Sequence, residues 1–295
     1  MLIPAVIAIA LLFLILASIQ DLKSGEIPDK ISVGFTIAIM LLAASLAIHA
    51  KNITPLLNAI TLGVGYFIAA YILYKLGQWG GGDVKMLLGL GCTLGLINSL
   101  GYSWNSPLVP YYLSYFLNMG FVALPYALLY MLILSCKKTE VYTEFRKKIF
   151  ETKTLILLAI SIALPLAFYL TTSFPFFIVF SAILPAFTLI SVYLKTTEKM
   201  LLTKIIPVFE LKEADALAED LKYDGKKIAL RRDIEGLSRE QLLLVKKLAA
   251  ERKIPSEIKI RWGVKFMPII TFAFLITLYS GDLMFMVIQI MLENI

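Results

Sequence analysis

Runs of about 20 apolar residues, long enough to cross a bilayer as helices, recur along this 295-residue chain. They fall at residues 2–20, 31–49, 56–76, 86–100, 111–135, 154–171, 174–194 and 264–280, the last trailing into a further apolar tail to Leu292. The pattern predicts an all-α polytopic membrane protein of about eight transmembrane helices, with the fourth span the shortest. Residues 2–20 outlast the ~7 to 15 apolar residues of a signal-peptide core. No basic segment precedes them and no small-x-small cleavage site follows, so they read as a retained first transmembrane helix.

Residues 196–262 are the stretch with soluble character. Tyr223-Asp224-Gly225 reads as a turn, and Ser238 with Gln241 three positions on, followed by Leu242, Leu243, Leu244, Val245 and Leu248, predicts a capped amphipathic helix. A segment of this size is small for an independent core and is expected to lean on the membrane part or on the lipid surface. The prediction here is a small cytosolic domain, α/β or α.

Composition sharpens the membrane reading. The chain is 59% hydrophobic and 17% charged, against about 25% charged in soluble domains. With the loops after spans one, three, five and seven assigned to the cytosol, every Lys and Arg except Lys51 falls on that side. This is the positive-inside signature, and it puts the N-terminus outside and Asp21 and Asp83 at the cytosolic face. The net charge of +7 is accounted for by anionic lipid heads of the bilayer and requires no nucleic acid. Cys92 and Cys136 lack CxxC spacing, and His49 is the single histidine, so neither a zinc site nor a Ser/His triad can be built.

The residues suited to chemistry are therefore carboxylates. Asp21 closes the first span, and Asp83 closes the run Gly80-Gly81-Gly82-Asp83 after the third. A membrane-level Asp costs several kcal/mol or more unless water or a partner reaches it. The glycines allow a second backbone or a peptide substrate to come close. They are not a phosphate cradle, because Asp stands where a P-loop needs Lys after Gly77 and Gly82. Both spans end at one face, so the two carboxylates can meet at the rim of the bundle, share a proton, and act as base and acid around one water. That suffices for peptide-bond hydrolysis without metal, cofactor, Ser or Cys. Glu26 and Asp29 add acids for a basic substrate segment, or are solvated loop charges. The rival from another class is a proton-coupled transporter relaying protons through membrane carboxylates, against which stand the location of both acids at one face and the lack of an evident inverted repeat.

Asp21 followed by Ile27-Pro28-Asp29, then Gly80-Gly81-Gly82-Asp83-Val84-Lys85, resembles the two-part signature of the prepilin peptidase family, the GxGD membrane aspartic proteases that include archaeal preflagellin (archaellin) and prepilin peptidases. The similarity is strongest over residues 1 to 135. The resemblance implies a six-helix GxGD protease-like core plus an extra helix pair, with Asp21 and Asp83 as the catalytic pair. It implies archaellin or type IV pilin-like precursors as substrates, cut on the cytosolic side after a short basic leader. The expected organisation is a catalytic membrane core over 1–135, a basic cytosolic loop and additional helix pair over 136–195, the small domain over 196–262, and a final span over 263–295. Bacterial members carry a CxxC insert and also N-methylate the product; this chain lacks that insert, so methyl transfer is not expected. The presenilin branch places its partner Asp in the adjacent preceding helix and carries a Pro-Ala-Leu motif, which this chain does not match. Gly91 and Gly95 read as a packing face, Lys85 as a headgroup anchor, and Asp282 as structural.

Overall fold

The computed structural model describes residues 2–77, 79–102, 109–136, 138–174, 176–213, 215–224, 226–229 and 236–293. Its helices are α1 (Leu2–Ser24), α2 (Asp29–His49), α3 (Thr54–Lys75), α4 (Gly81–Ser99), α5 (Tyr111–Ser135), α6 (Glu140–Ile149), α7 (Thr152–Thr172), α8 (Phe176–Leu201), α9 (Arg239–Ala250), α10 (Met267–Ser280) and α11 (Leu283–Glu293). Among the described residues six of them, α1, α2, α3, α5, α7 and α8, are long and apolar enough to cross a membrane, and α10 with α11 forms a further pair bent by 58°. The chain is a multi-pass membrane protein. It divides into two compact units, Met1–Pro125 with Lys265–Ile295, and Tyr126–Val264.

In the first unit the apolar runs resolve into an inner and an outer face. Val6, Ala10, Leu14, Ala17 and Asp21 form the buried stripe of α1, while Leu12, Ile15, Leu16 and Ile19 face outward. Buried stripes with small residues recur on α2 (Ser32, Phe35, Ile39, Ala43) and α3 (Pro55, Ala59, Gly63, Tyr66, Ala70). Spacings of three and four residues keep each stripe on one helical face.

The fourth predicted span is the central helix of this unit. α4 packs against α1, α2 and α3, and nearly every position from Asp83 to Ile97 is buried. Protein rather than lipid surrounds it, so it tolerates an acid, a threonine and several glycines and falls short of the apolarity of a lipid-facing span. Gly91 and Gly95 do serve packing: a Cβ at Gly91 would lie 2.5 Å from the Leu62 carbonyl oxygen, and one at Gly95 would collide with that of Asn58. The α3 backbone approaches α4 closely only because both positions lack side chains.

The last predicted span is broken. Gly281 turns the chain at φ 70°, and Asp282 caps α11 by accepting a hydrogen bond from the Phe285 N–H, 3.3 Å. Asn118 on α5 ties the break together. Its amide donates to the Gly281 carbonyl (2.6 Å) and Thr277 Oγ1 (3.0 Å), and its oxygen accepts from the Leu283 N–H (3.1 Å).

The second unit contains the α7–α8 pair, with α6 packed on α8, where Ser135 and Tyr193 hydroxyls bond at 2.8 Å and Phe145 packs edge-on against Tyr193. Beyond α8 the soluble segment is mixed α/β. Strands β1 (Thr203–Pro207), β5 (Glu257–Arg261) and β2 (Ala216–Leu217) form an antiparallel sheet in the order β1-β5-β2, and β3 (Leu221–Tyr223) pairs with β4 (Lys226–Ala229). Ile206, Val208, Leu211, Val245, Leu248, Ile258 and Ile260 form its core. The predicted capping box closes α9: the Ser238 hydroxyl accepts from the Gln241 N–H and the Gln241 side chain from the Ser238 N–H. Asp224 adopts a left-handed φ of 51° at the predicted turn, whose Gly225 lies outside the described residues.

Candidate active site

Asp21 occupies the last turn of α1 on its inward stripe and is 6% exposed. The helix ends as Gly25, at φ 77°, donates its N–H to the Asp21 carbonyl at 2.8 Å. Only a residue without a Cβ is unstrained there. The chain then extends through Pro28, whose carbonyl accepts from the Ile31 N–H (2.9 Å) as α2 begins. Asp-x5-Ile-Pro-Asp is thus a helix end, a turn and a helix start.

The glycine run has a matching logic. Gly80 precedes α4, and its N–H donates to Asp83 Oδ2 at 3.1 Å, so Asp83 reaches back from the first turn and closes its own helix. Asp83 is 8% exposed. A Cβ on Gly82 would lie 3.0 Å from Ile27 Cβ, so the missing side chain lets the Ile-Pro-Asp segment rest on the start of α4. The two motifs also meet through charge: Lys85 Nζ donates to Asp29 Oδ1 at 2.5 Å. The predicted headgroup anchor therefore binds an acid of the other motif.

Asp21 and Asp83 come within electrostatic reach of one another. Of the remaining predicted residues, Gly80, Gly82, Pro28 and Asp29 build the two helix starts beside them. Glu26 is exposed on the turn, where its N–H bonds Ser24 Oγ at 3.4 Å. Gly81 opens α4 with no close neighbour to a Cβ nearer than 4.0 Å.

Several neighbours of the pair were not singled out from sequence. The Met267 N–H, at the start of α10, donates to Asp21 Oδ2 at 3.0 Å. Lys265 lies close enough to act on the Asp21 carboxylate, and the Tyr115 hydroxyl close enough to interact with Asp83. Trp79 packs on Phe266 with ring centroids 5.3 Å apart. The only sequence signal for Lys265 was a cation ahead of an apolar run, which any positive-inside anchor would give. Among the described residues no group of three His, Cys, Asp or Glu side chains is arranged to hold a metal. Each of the two carboxyls is thus buried and fixed by a backbone amide, within electrostatic reach of the other.

Comparison with known proteins agrees with the motif resemblance. Residues 8–139 match the Type IV leader peptidase family, a stretch that contains both motifs. The chain is 39% identical over 105 residues to a preflagellin peptidase of Methanococcus voltae, covering 36% of this chain and 43% of that protein. It is 35% identical over 153 residues to a preflagellin peptidase of Methanococcus maripaludis, covering 49% and 66%. It is 29% identical over 209 residues to the prepilin peptidase EppA of Methanothermobacter thermautotrophicus, covering 68% and 52%. The matches thus span between 43% and 66% of the relatives' own lengths. No solved structure matches the chain significantly.

Proposed function

We propose that this chain, whose residues 8–139 carry the type IV leader peptidase match, is a membrane-embedded aspartic endopeptidase that removes the leader of archaellin or type IV pilin-like precursors. The observation that carries the reading is that two motif carboxyls, Asp21 from α1 and Asp83 from α4, lie within electrostatic reach of one another, each buried and each accepting a backbone N–H. The family match and the names of the relatives, preflagellin and prepilin peptidase, support the same class of substrate. They favour hydrolysis over proton-coupled transport, since each is a peptidase by description.

In the reaction, the pair holds one proton and a water between its carboxyls. The ionised carboxylate removes a proton from the water as its oxygen bonds to the scissile carbonyl carbon, while the protonated partner gives its proton to the carbonyl oxygen. Collapse of the tetrahedral diol breaks the C–N bond as the amine takes up the proton held by one carboxyl and a diol hydroxyl gives its proton to the other carboxylate, so the pair again holds one proton and the acid and base roles have exchanged. The charge distribution supports an orientation with the Asp21 and Asp83 end of α1 and α4 at the cytosolic face, the N-terminus outside, and residues 195–265 in the cytosol.

Asp21→Asn and Asp83→Asn should each lower cleavage of a pilin-type precursor by roughly 10³-fold or more while leaving the purified protein folded. The measurement is mass spectrometry of precursor and product in detergent. Cleavage by the double Asn variant at the parent rate would refute the assignment.

A further inference from the structure

Three consecutive residues outside both motifs, Lys265, Phe266 and Met267, lead into α10, and each touches a different part of the candidate site. The Lys265 ammonium lies over the turn that follows Asp21, where a Cβ on Gly25 would collide with Lys265 Nζ. From there it is within electrostatic reach of the Asp21 carboxylate. Phe266 packs its ring on Trp79, immediately before the glycine run. Met267 delivers the first N–H of α10 to Asp21 Oδ2.

This short segment is anchored from behind. One turn further on, Thr271 Oγ1 bonds Ser18 Oγ at 2.8 Å and donates to the Leu14 carbonyl at 3.3 Å. The start of α10 is thereby locked to the last three turns of α1, on the same stripe that carries Asp21. Asp21 and Asp83 arrive on separate helices, and their productive spacing tolerates an error of well under about 1 Å. A helix N-terminus and an ammonium both attract the Asp21 carboxylate, while the Phe266–Trp79 contact holds the peptide leading to Gly80. One segment therefore grips both halves of the pair.

We infer that the start of α10 is a third arm of the site, in which Lys265 and Phe266 are positioning residues for Asp21 and for the glycine run that carries Asp83. The inference rests on the peptidase reading above. It assigns them no contact with the scissile bond, so their loss slows turnover and spares substrate binding.

The test is steady-state cleavage of a synthetic pilin-type precursor by the purified full-length protein in detergent. Lys265→Met and Phe266→Ala are each expected to lower kcat by about 10-fold or more with KM within about twofold of the parent. Lys265→Arg, which keeps a cation at similar reach, and Phe266→Tyr, which keeps the ring, are expected to recover most of the rate. An unchanged kcat in Lys265→Met, a loss carried wholly by KM, or no recovery by the Arg and Tyr variants overturns the inference. If Lys265→Met does not yield folded protein, the kcat and KM of Lys265→Gln decide on the same criteria. Asp21→Asn and Asp83→Asn, measured alongside, separate the two readings: if they abolish cleavage while Lys265→Met keeps its kcat, only the third arm fails, whereas activity in both Asn variants removes the peptidase itself.

Discussion

The Lys85–Asp29 contact joins two residues that belong to different motifs and that, in sequence, have unrelated readings. With side chains 44% and 70% exposed, the pair adds well under about 1 kcal/mol to stability. Its consequence is geometric, since it ties the first turn of α2 to the first turn of α4, two residues beyond Asp83. Asp29→Lys and Lys85→Asp should each lower kcat/KM for a precursor by about fivefold, and the double exchange should recover most of that loss, as a strut between helices would. A loss confined to KM in Asp29→Lys, unrepaired by the second exchange, would identify Asp29 as a contact for a basic leader. Gly82 acts on the same junction. Gly82→Ala would bring its Cβ to 3.0 Å from Ile27 and press the two motifs apart.

At the scale of elements, the helices most exposed to lipid were the most legible, because an uninterrupted apolar run is itself the signal. α4 was the shortest predicted span for the opposite reason: protein surrounds it, and although Gly91 and Gly95 read as a packing face, no local pattern announces that α3 is the partner. The prediction at this scale compares two glycines. Gly95→Ala drives a Cβ into the Asn58 carbonyl and should cost about 1–3 kcal/mol, read as a lower Tm in detergent. Gly120→Ala on α5 meets nothing within 4 Å and should leave Tm unchanged or slightly raised. The bend in the last span was not legible in the sequence, where Asp282 read only as structural, since the Asn118 bonds that fix it cross more than 150 positions of chain. Asp282→Ala removes the cap of α11 and should cost about 1 kcal/mol relative to Asp282→Asn, which keeps an oxygen for the Phe285 N–H. The role of α10 beside Asp21 had no local signal either: the Met267 amide and the carboxylate that it bonds are 246 positions apart.

For the whole molecule, contacts within the first unit sort its helix ends into two groups. Asp21, Gly25, Ile27, Asp29, Gly82, Asp83, Lys85 and Lys265 are linked at one end of the helices. At the other, the Tyr102 hydroxyl donates to the Leu278 carbonyl at 2.7 Å and Asn118 holds Gly281. Basic residues follow that division: Lys23, Lys30, Lys75, Lys85 and Lys265 belong to helix ends on the side of the carboxyl pair, and Lys51 follows α2 at its far end. Translocated loops poor in Lys and Arg are the rule, so the proposed orientation has a direct test by single-cysteine labelling. After Cys92 and the exposed Cys136 are replaced, an impermeant maleimide added to intact cells should label Lys51→Cys, while Lys30→Cys and Lys247→Cys should react only after the membrane is opened. Labelling of Lys30→Cys in intact cells with Lys51→Cys protected would invert the orientation and put the carboxyl pair outside, where a precursor still awaiting export cannot reach it.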